Sequence, residues 1–254
     1  MNDQKHENAW IYGVIPAGAK LQAVKRRSDR LPADLRVVEM GDLGVIVGDA
    51  PENDAKATRD QALAHARVLE AAVLDAPVLP FRFGMVIPES EVGPELLGVR
   101  HDELAQLLDS VRNDVQFTMK ADYREDAVLQ EIVESDPTIA QLREQTRGLD
   151  EITARDIRIR LGELVSIALE QVRQHDVEQI VERLRPFSVS FAVEPLESDF
   201  MALNAAFLVE RSQIHEFDEA AASLAKAQAE RIHFTLLGPM PAYNFVGAGG
   251  LAWA

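Results

Sequence analysis

Six histidines are the residues in this chain with the widest chemical range, because imidazole can bind a metal or exchange a proton near neutral pH. They lie far apart, and one of them begins a metal-binding pattern. His215-Glu216 resembles the start of a His-Glu-x-x-His zinc motif, but Glu219 stands where the second histidine belongs. The spacing therefore predicts no metal site at any of the six: His6, His65, His101, His175, His215 and His233.

Other catalytic patterns are also missing from the sequence. The chain has no cysteine, which excludes thiolate chemistry and disulfides. No serine lies in a Gly-x-Ser-x-Gly elbow, and the glycine-rich segment 247–250 opens no helix that could hold a phosphate. With 42 acidic residues, carboxylate pairs such as Asp218-Glu219 are expected on solvated helix faces. We predict no catalytic residue, no cofactor and no metal.

The charge balance limits the partners of this chain. It has 26 basic and 42 acidic residues, a formal net charge of −16, so duplex nucleic acid and anionic membranes should repel it. The N-terminal residues lack the apolar core of a signal peptide, and no apolar run reaches the roughly 20 residues of a membrane helix. We predict a cytoplasmic globular protein that binds neither nucleic acid nor membrane.

Apolar periodicity predicts an alternation of strands and helices along the chain. In the first half it predicts a strand at 9–15, a hairpin of 35–40 with 43–47, a helix from about Ala55 to Ala76, a strand at 78–88, a helical pair at 89–112 and a strand at 115–121. In the second half it predicts short helices at 123–135 and 138–147, one long helix at 152–184, strands at 187–193 and 202–209, a helix at 217–230 and a strand at 232–237.

This order of elements predicts an α+β fold with two tandem domains, whose mixed or antiparallel sheets are covered by helices. The second half reads helix, strand, strand, helix, strand, which is ferredoxin-like in the loose sense. We predict an N-terminal α+β domain at 1–121, a helical connection at 122–148, and a C-terminal α+β domain at 149–254 with the long helix and a tail.

A motif of mixed chemistry follows the first long helix. In an alternating strand, Arg82 faces away from Phe81 and Phe83, so it lies on the surface or pairs with a carboxylate. Because the rest of its strand is predicted to be interior, we expect Arg82 to lie partly in the interior and to pair with a carboxylate of a neighbouring element. His65, on the preceding helix, is expected to be a hydrogen-bonded residue at the edge of the core rather than a ligand or a base. In the later strand 187–193, alternation predicts four inward side chains: Phe187, Val189, Phe191 and Val193.

The C-terminal segment carries a second motif. Gly238-Pro239 is expected to end the last strand, and the prolines at 239 and 241 fix φ and remove two amide donors. An extended segment would then place the rings of Tyr243 and Phe245 on one side, where they cover the protein's own core.

Both motifs resemble the gas vesicle accessory proteins of the L/F family. The tail is similar to the terminal signature of that family, usually Gly-Pro-Trp-Pro-Pro-Tyr-x-Phe, with Met240 in place of the Trp and Ala242 in place of the second Pro of the pair. The segment Leu-Pro-x-Arg-Phe-Gly, after a helix that bears a histidine, is the second likeness. The matching positions are His65, Pro80, Arg82, Phe83, Gly84, Gly238, Pro239, Pro241, Tyr243 and Phe245.

The resemblance implies a non-enzymatic assembly factor or minor structural protein, located at the gas vesicle or in the cytoplasm. Its implied partner is the small hydrophobic shell subunit, with other gas vesicle accessory proteins as further candidates. Two alternatives remain open from the residues alone. One is a small-molecule-binding or catalytic α+β protein with a cleft at His65 and Arg82, and the other is a helical scaffold that acts through residues 152–184.

Overall fold

The computed structural model describes residues 8–27, 29, 31–50, 58–150 and 152–246. The glycine-rich segment 247–250 and the expected helix start at Ala55 lie outside these residues. The chain forms two compact units: 1–117 with 208–211 and 237–254, and 118–207 with 212–236. This division differs from the predicted domains 1–121, 122–148 and 149–254, because strand pairing joins segments that are distant in sequence. Within the first unit, for example, the Arg211 amide donates to the Asn113 carbonyl at 2.8 Å.

The first unit is built on an antiparallel sheet in the order β2-β3-β1-β4, and β5 also pairs with β1. The apolar run of β1 is buried along most of its length, as its sequence predicts. The elements are β1 Asn8–Pro16, α1 Gln22–Arg26, β2 Arg36–Met40, β3 Leu43–Asp49, α2 Arg59–Val73, β4 Leu79–Pro80, β5 Val86–Pro88, α3 Glu89–Glu91, a π-helix Val92–Gly98 and α4 His101–Ser110.

Gly13 explains how β4 and α2 approach β1 closely. A Cβ at this position would lie 2.8 Å from the Leu79 carbonyl oxygen and 3.0 Å from a Leu69 methyl group, so a larger residue would push both away. The helix that carries Leu69 begins with a capping box, in which Thr58 and Gln61 satisfy each other's backbone amides. The absence of a side chain at Gly13 therefore lets β1 pack closely against both α2 and β4.

The other sheet has the order β7-β8-β6-β9, and its elements follow the β-α-β-β-α-β pattern of ferredoxin-like folds. This confirms the predicted α+β fold class. The elements are β6 Asp114–Tyr123, α5 Glu125–Ser135, α6 Pro137–Thr146, α7 Arg155–Leu184, a 3-10 helix Arg185–Phe187, β7 Ser190–Val193, β8 Met201–Glu210, a 3-10 helix Arg211–Gln213, α8 Ile214–Ala227, β9 Ile232–Met240 and α9 Tyr243–Val246.

Strand β6 was placed in the N-terminal domain from the sequence, but it lies in this second sheet between β8 and β9. Its first residues belong to the first unit and its last residues to the second. The strand next to it, β8, is buried from Met201 to Val209 because it has a neighbouring strand on each side. In the second unit, Phe207 of β8 packs on Phe217 of α8 with ring centroids 5.6 Å apart.

Candidate functional site

His65 is buried, with 5% of its surface exposed, and both of its ring nitrogens are engaged. Nδ1 accepts a hydrogen bond from the Trp10 indole at 3.2 Å, and Nε2 lies 3.1 Å from the Phe81 carbonyl oxygen. The indole can only donate and the carbonyl can only accept, so the proton of the neutral ring resides on Nε2. This confirms the interpretation of His65 as a hydrogen-bonded residue at the edge of the core.

Aromatic side chains surround this histidine. Its ring stacks on Tyr12 with centroids 5.0 Å apart and meets Phe83 edge-on at 5.8 Å, and Trp10 lies 5.3 Å from Phe83. Burial lowers the pKa of His65, because the apolar surroundings disfavour the charged ring. His65 is thus a neutral link between α2, β1 and the segment after β4.

That segment is not the continuous strand predicted for 78–88. It forms β4, then a turn, then β5. Gly84 has φ +90° in the turn, a conformation that residues with a side chain rarely adopt, and Arg82 is exposed. The expectation that Arg82 lies partly in the interior is therefore wrong. Pro80 is buried in β4, where it pairs with Gly13.

A small pocket of about 160 Å³ lies beside Trp10 and Tyr12 in the first unit, but neither His65 nor Arg82 lines it. The two carboxylates that line it, Asp34 and Asp49, both accept hydrogen bonds from within the protein. Asp34 accepts from the Asp49 amide, and Asp49 accepts from Arg36 at 2.7 Å. Burial and the nearby Asp34 charge raise the pKa of Tyr12 to about 12, so its phenol remains protonated. The described residues thus do not form the convergent His65–Arg82 cleft that a catalytic site would require.

The tail differs from its predicted course. Strand β9 runs through Gly238 and Pro239 to Met240 instead of ending at Gly238, and the next residues form α9 rather than an extended segment. Gly238 has φ +143°, and a Cβ there would lie 2.7 Å from the Phe117 ring and 2.9 Å from the Gln116 carbonyl oxygen. Only glycine fits this point of close approach without strain.

The tail covers the core of the first unit, and of the two rings predicted to do so, Phe245 packs there while Tyr243 does not lie in the core cluster. Ala242 and Val246 are buried in one apolar cluster with Leu79 and Phe81, and Phe245 packs against that cluster. Pro241 is buried beside them, whereas Tyr243 is partly exposed. Helical geometry, and not strand alternation, decides which side chains of residues 243–246 face inward. The two motifs singled out in the sequence therefore meet in one core.

A pair of amides that the sequence reasoning missed holds this tail in place. The Gln116 side chain donates to Asn244 Oδ1 at 2.7 Å and accepts from the Asn244 backbone amide at 3.0 Å. Gln116 is buried, and its amide nitrogen also lies 3.8 Å from the Met240 sulfur. Alternation placed Gln116 on the polar face of this strand with Thr118 and Lys120, so nothing in the sequence marked it as buried.

The second unit presents an apolar row at the edge of its sheet. Val189, Phe191 and Val193 are exposed by 62%, 38% and 57%, although alternation predicted that they face inward. The prediction of burial is wrong because β7 is the terminal strand of the sheet, with a neighbouring strand on one side only. Of these side chains, Phe191 still contacts the core, because its ring stacks on the buried Phe207 with centroids 6.1 Å apart.

Comparison with known proteins identifies the family. The family model of the gas vesicle synthesis protein GvpL/GvpF matches residues 8–247. The chain belongs to the GvpL/GvpF family. It is 32% identical to gas vesicle protein F of Streptomyces sp. (strain CB03234) over 217 residues, which cover 85% of this chain and 89% of the relative. It is also 25% identical to gas vesicle protein F of Dolichospermum flosaquae over 239 residues, 93% of this chain and 96% of the relative.

Among solved structures, GvpF from Anabaena sp. PCC7120 has a TM-score of 0.77 to this chain, at 20% identity over 94% of this chain and 98% of the other. At that identity the likeness establishes the fold, while the family match establishes the connection with gas vesicles. No helix among the described residues is long and apolar enough to cross a membrane. For this member of the GvpL/GvpF family, both family-like motifs contribute buried residues to the core of the first unit, and the exposed apolar row lies in the second.

Proposed function

We propose that this protein acts in gas vesicle assembly by binding the hydrophobic shell subunit, without catalysing a reaction. It works in the cytoplasm and at the growing vesicle, and other gas vesicle accessory proteins are further partners. Family membership supports the link with gas vesicles. The open edge of β7 supports the mode of binding.

The edge strand β7 has the features of a strand-binding site. A terminal strand offers unpaired backbone amides and carbonyls, to which an extended segment can add as a further strand. The exposed row consists of Phe191 and Val193 of β7 and Val189, which directly precedes the strand, and the side chains of the added strand would cover it. The opposite edge, β9, suits this role less well because Pro239 has no amide proton to donate.

The surroundings of β7 favour a partner with basic residues next to its apolar strand. A groove of about 510 Å³ near Phe187 is lined by three glutamates, Glu182, Glu216 and Glu219, and one arginine, Arg183. The net charge of −16 adds a long-range attraction for positive segments and keeps a complex with an apolar partner dispersed in water.

The alternative of a small-molecule or catalytic site at His65 receives no support from the geometry. Both nitrogens of His65 bind within the protein, and Arg82 lies on the exposed turn that follows β4. A general base or a ligand needs a nitrogen that can reach a substrate. We therefore assign His65 and its aromatic neighbours to the stability of the first unit.

The test is capture of co-expressed shell subunit by the tagged full chain. The double variant Val189→Asp/Val193→Asp places charges on the exposed row, and we expect it to lower capture at least about tenfold while the Tm stays near that of the wild type. Val99→Asp is the matched control, since Val99 is 74% exposed in the first unit. Normal capture by the double variant would exclude the β7 edge, and no capture by the wild type would exclude shell binding itself.

A further inference from the structure

The long helix α7 changes its surroundings halfway along its length. Gly162, Leu169 and Asp176 are separated by seven residues, about two turns, so they lie on one face. Leu169 and Asp176 are buried, but Gly162 is exposed. This face of α7 is therefore buried within the second unit in the C-terminal half of the helix and exposed to solvent at Gly162 in the N-terminal half.

No contact within its own chain requires a glycine at position 162. A Cβ at this position would have no atom within 4 Å apart from the backbone of its own helix, and its φ is not positive. Glycine inside a helix costs about 0.5–1 kcal/mol relative to alanine. A second helix that passes close to α7 at this point would account for the missing side chain.

The exposed residues around Gly162 form a stripe at helical spacing. Arg155, Ile159, Gly162, Ser166 and Glu170 follow one another at intervals of three or four residues, which places them on one face. Ile159 is 53% exposed. We call these five residues the α7 stripe. It combines one exposed apolar side chain, two small residues and a charge of opposite sign at each end.

The N-terminal half of α7 contains a positively charged segment followed by a negatively charged one, so two copies of the helix can have complementary charges. Residues 155–162 contain three arginines and one aspartate, a formal charge of +2, and residues 163–170 contain two glutamates, a formal charge of −2. Two parallel copies would bring like charges together. Two antiparallel copies would bring each arginine-rich half against a glutamate half, and their helix dipoles would also be opposed favourably.

We propose that two copies of this chain associate through antiparallel packing of their α7 helices around Gly162. With the two-fold axis between Gly162 and Glu163, Arg155 of one copy faces Glu170 of the other, and Ile159 faces Ser166. Each contact occurs twice, as in an isologous interface. A groove of about 600 Å³, bounded by Ser166 and Phe200, receives Ile159 of the second copy. This association uses a different surface from β7 and does not depend on shell binding.

The first experiment measures the mass of the full chain in solution by sedimentation equilibrium across a range of concentrations. We expect the wild type to approach the mass of a dimer. Gly162→Leu fills the point of closest approach and should remain monomeric. At low concentrations, where the wild type is also monomeric, the Tm of the variant should be no lower than that of the wild type, because leucine favours the helix. Glu178→Leu, an exposed change on α7 outside the stripe, is the control and should dimerise. A monomeric wild type, or a Gly162→Leu variant that still dimerises, would overturn the proposal.

The second experiment reads the register by disulfide cross-linking, which is clean because the chain contains no cysteine. An oxidised mixture of Ile159→Cys and Ser166→Cys chains should give a cross-linked heterodimer. Each variant alone should cross-link at least about tenfold less, because identical positions do not face each other in this register. Efficient self-linking of Ile159→Cys would reject this register, because it requires the two copies of residue 159 to face each other. Gly162→Leu should also capture the shell subunit as well as the wild type does, because the proposed dimer contact and the proposed shell-binding edge β7 are different surfaces.

Discussion

Arg231 and Asp176 form an ion pair inside the second unit. Arg231 Nη1 donates to Asp176 Oδ1 at 2.9 Å, and Nη2 lies 2.8 Å from Oδ2. The same carboxylate accepts from the Tyr123 hydroxyl at 2.6 Å, and the guanidinium lies 5.4 Å from the centre of the Tyr123 ring. Asp176 is buried in the C-terminal half of α7, so this network fixes the long helix to β6 and to the start of β9.

Removal of Asp176 should therefore destabilise the protein. Asp176→Ala leaves the Arg231 charge without its buried partner, and we expect a loss of about 3–5 kcal/mol in the free energy of unfolding. Glu131→Ala is the control, because Glu131 binds the same arginine from a more exposed position and should cost about 0–1 kcal/mol. Urea denaturation of the three proteins measures both values. Equal losses for the two variants would contradict a special role for Asp176.

The double variant Asp176→Leu/Arg231→Met tests whether the pair itself stabilises the fold. Two apolar residues of similar size remove both charges, and such replacements are often neutral or stabilising. We expect the double variant to recover at least about half of the stability lost in Asp176→Ala. A double variant that is as unstable as the single one would show that Tyr123 and the rest of the network need the charges.

Sequence periodicity predicted most elements, because buried strands and amphipathic helices leave strong local patterns. The hairpin of β2 and β3 and the single helix α7 are examples. Pairing between distant strands leaves no such pattern, so the sheet to which β6 belongs could not be predicted. Alternation predicted that Val189, Phe191 and Val193 face inward, but it could not show that β7 ends the sheet.

The candidate site was less predictable than the fold. His65 could be interpreted from its place beside an apolar stripe, but its partners Trp10 and Phe81 are fixed by tertiary packing. The two nearby prolines favour an extended backbone, but residues 243–246 form the helical turn α9. The exposure of the α7 stripe could not be predicted either, because a glycine in a helical pattern does not show whether other elements of the chain pack over it.

Gly238 should tolerate no side chain. Gly238→Ala combines an unfavourable φ of +143° with a contact of 2.7 Å to the Phe117 ring, and we expect it to lose at least about 1–3 kcal/mol of stability. Gly162→Ala is the matched control, because its φ is helical and its surroundings are open. Measured at concentrations where the wild type is monomeric, that variant should gain about 0.5–1 kcal/mol. Thermal denaturation measures both, and a Gly238→Ala protein as stable as the wild type would contradict the close approach.

The amide pair of Gln116 and Asn244 should stabilise the tail. Asn244→Ala leaves the buried Gln116 nitrogen without its oxygen acceptor, and we expect a loss of about 1–3 kcal/mol. Gln116→Leu/Asn244→Ala removes both polar groups and should lose less than Asn244→Ala alone. Hydrogen exchange of the amides in α9 would locate the effect. Unchanged protection of these amides in Asn244→Ala would show that the pair does not hold the tail.

The aromatic residues of the tail should differ in their effect on stability. Phe245 packs against the core of the first unit, so Phe245→Ala should cost about 1–3 kcal/mol, below the 3–5 kcal/mol of a fully buried ring. Tyr243 is more exposed, and Tyr243→Ala should cost less than Phe245→Ala. Both folded variants should capture the shell subunit as well as the wild type. Normal melting with lost capture would instead assign the tail to partner binding.

Two histidines of the first unit should give opposite pH dependence. His101 contacts Asp42 at 2.6 Å and Asp102 at 3.1 Å, and these hydrogen bonds raise the pKa of His101. The stabilisation from protonated His101 is fully present below the unfolded value of about 6.5 and is lost as the pH rises through the higher folded pKa. The hydrogen bond from His101 likewise lowers the pKa of Asp42, so the contact is lost again in acid as that carboxylate becomes protonated.

His65 follows the reverse course. Burial lowers its pKa, so the folded protein resists protonation and its stability falls as the pH drops from about 6.5 through the lower folded pKa. Urea midpoints measured from pH 5 to 8 should therefore decline on both sides of a maximum near about 6.5. His101→Gln should remove the decline on the alkaline side, and His65→Gln the decline on the acid side. Since His101 is exposed, added salt should weaken its contribution more than that of His65. If His101→Gln instead flattened the acid side, the assignment of these two histidines would be reversed.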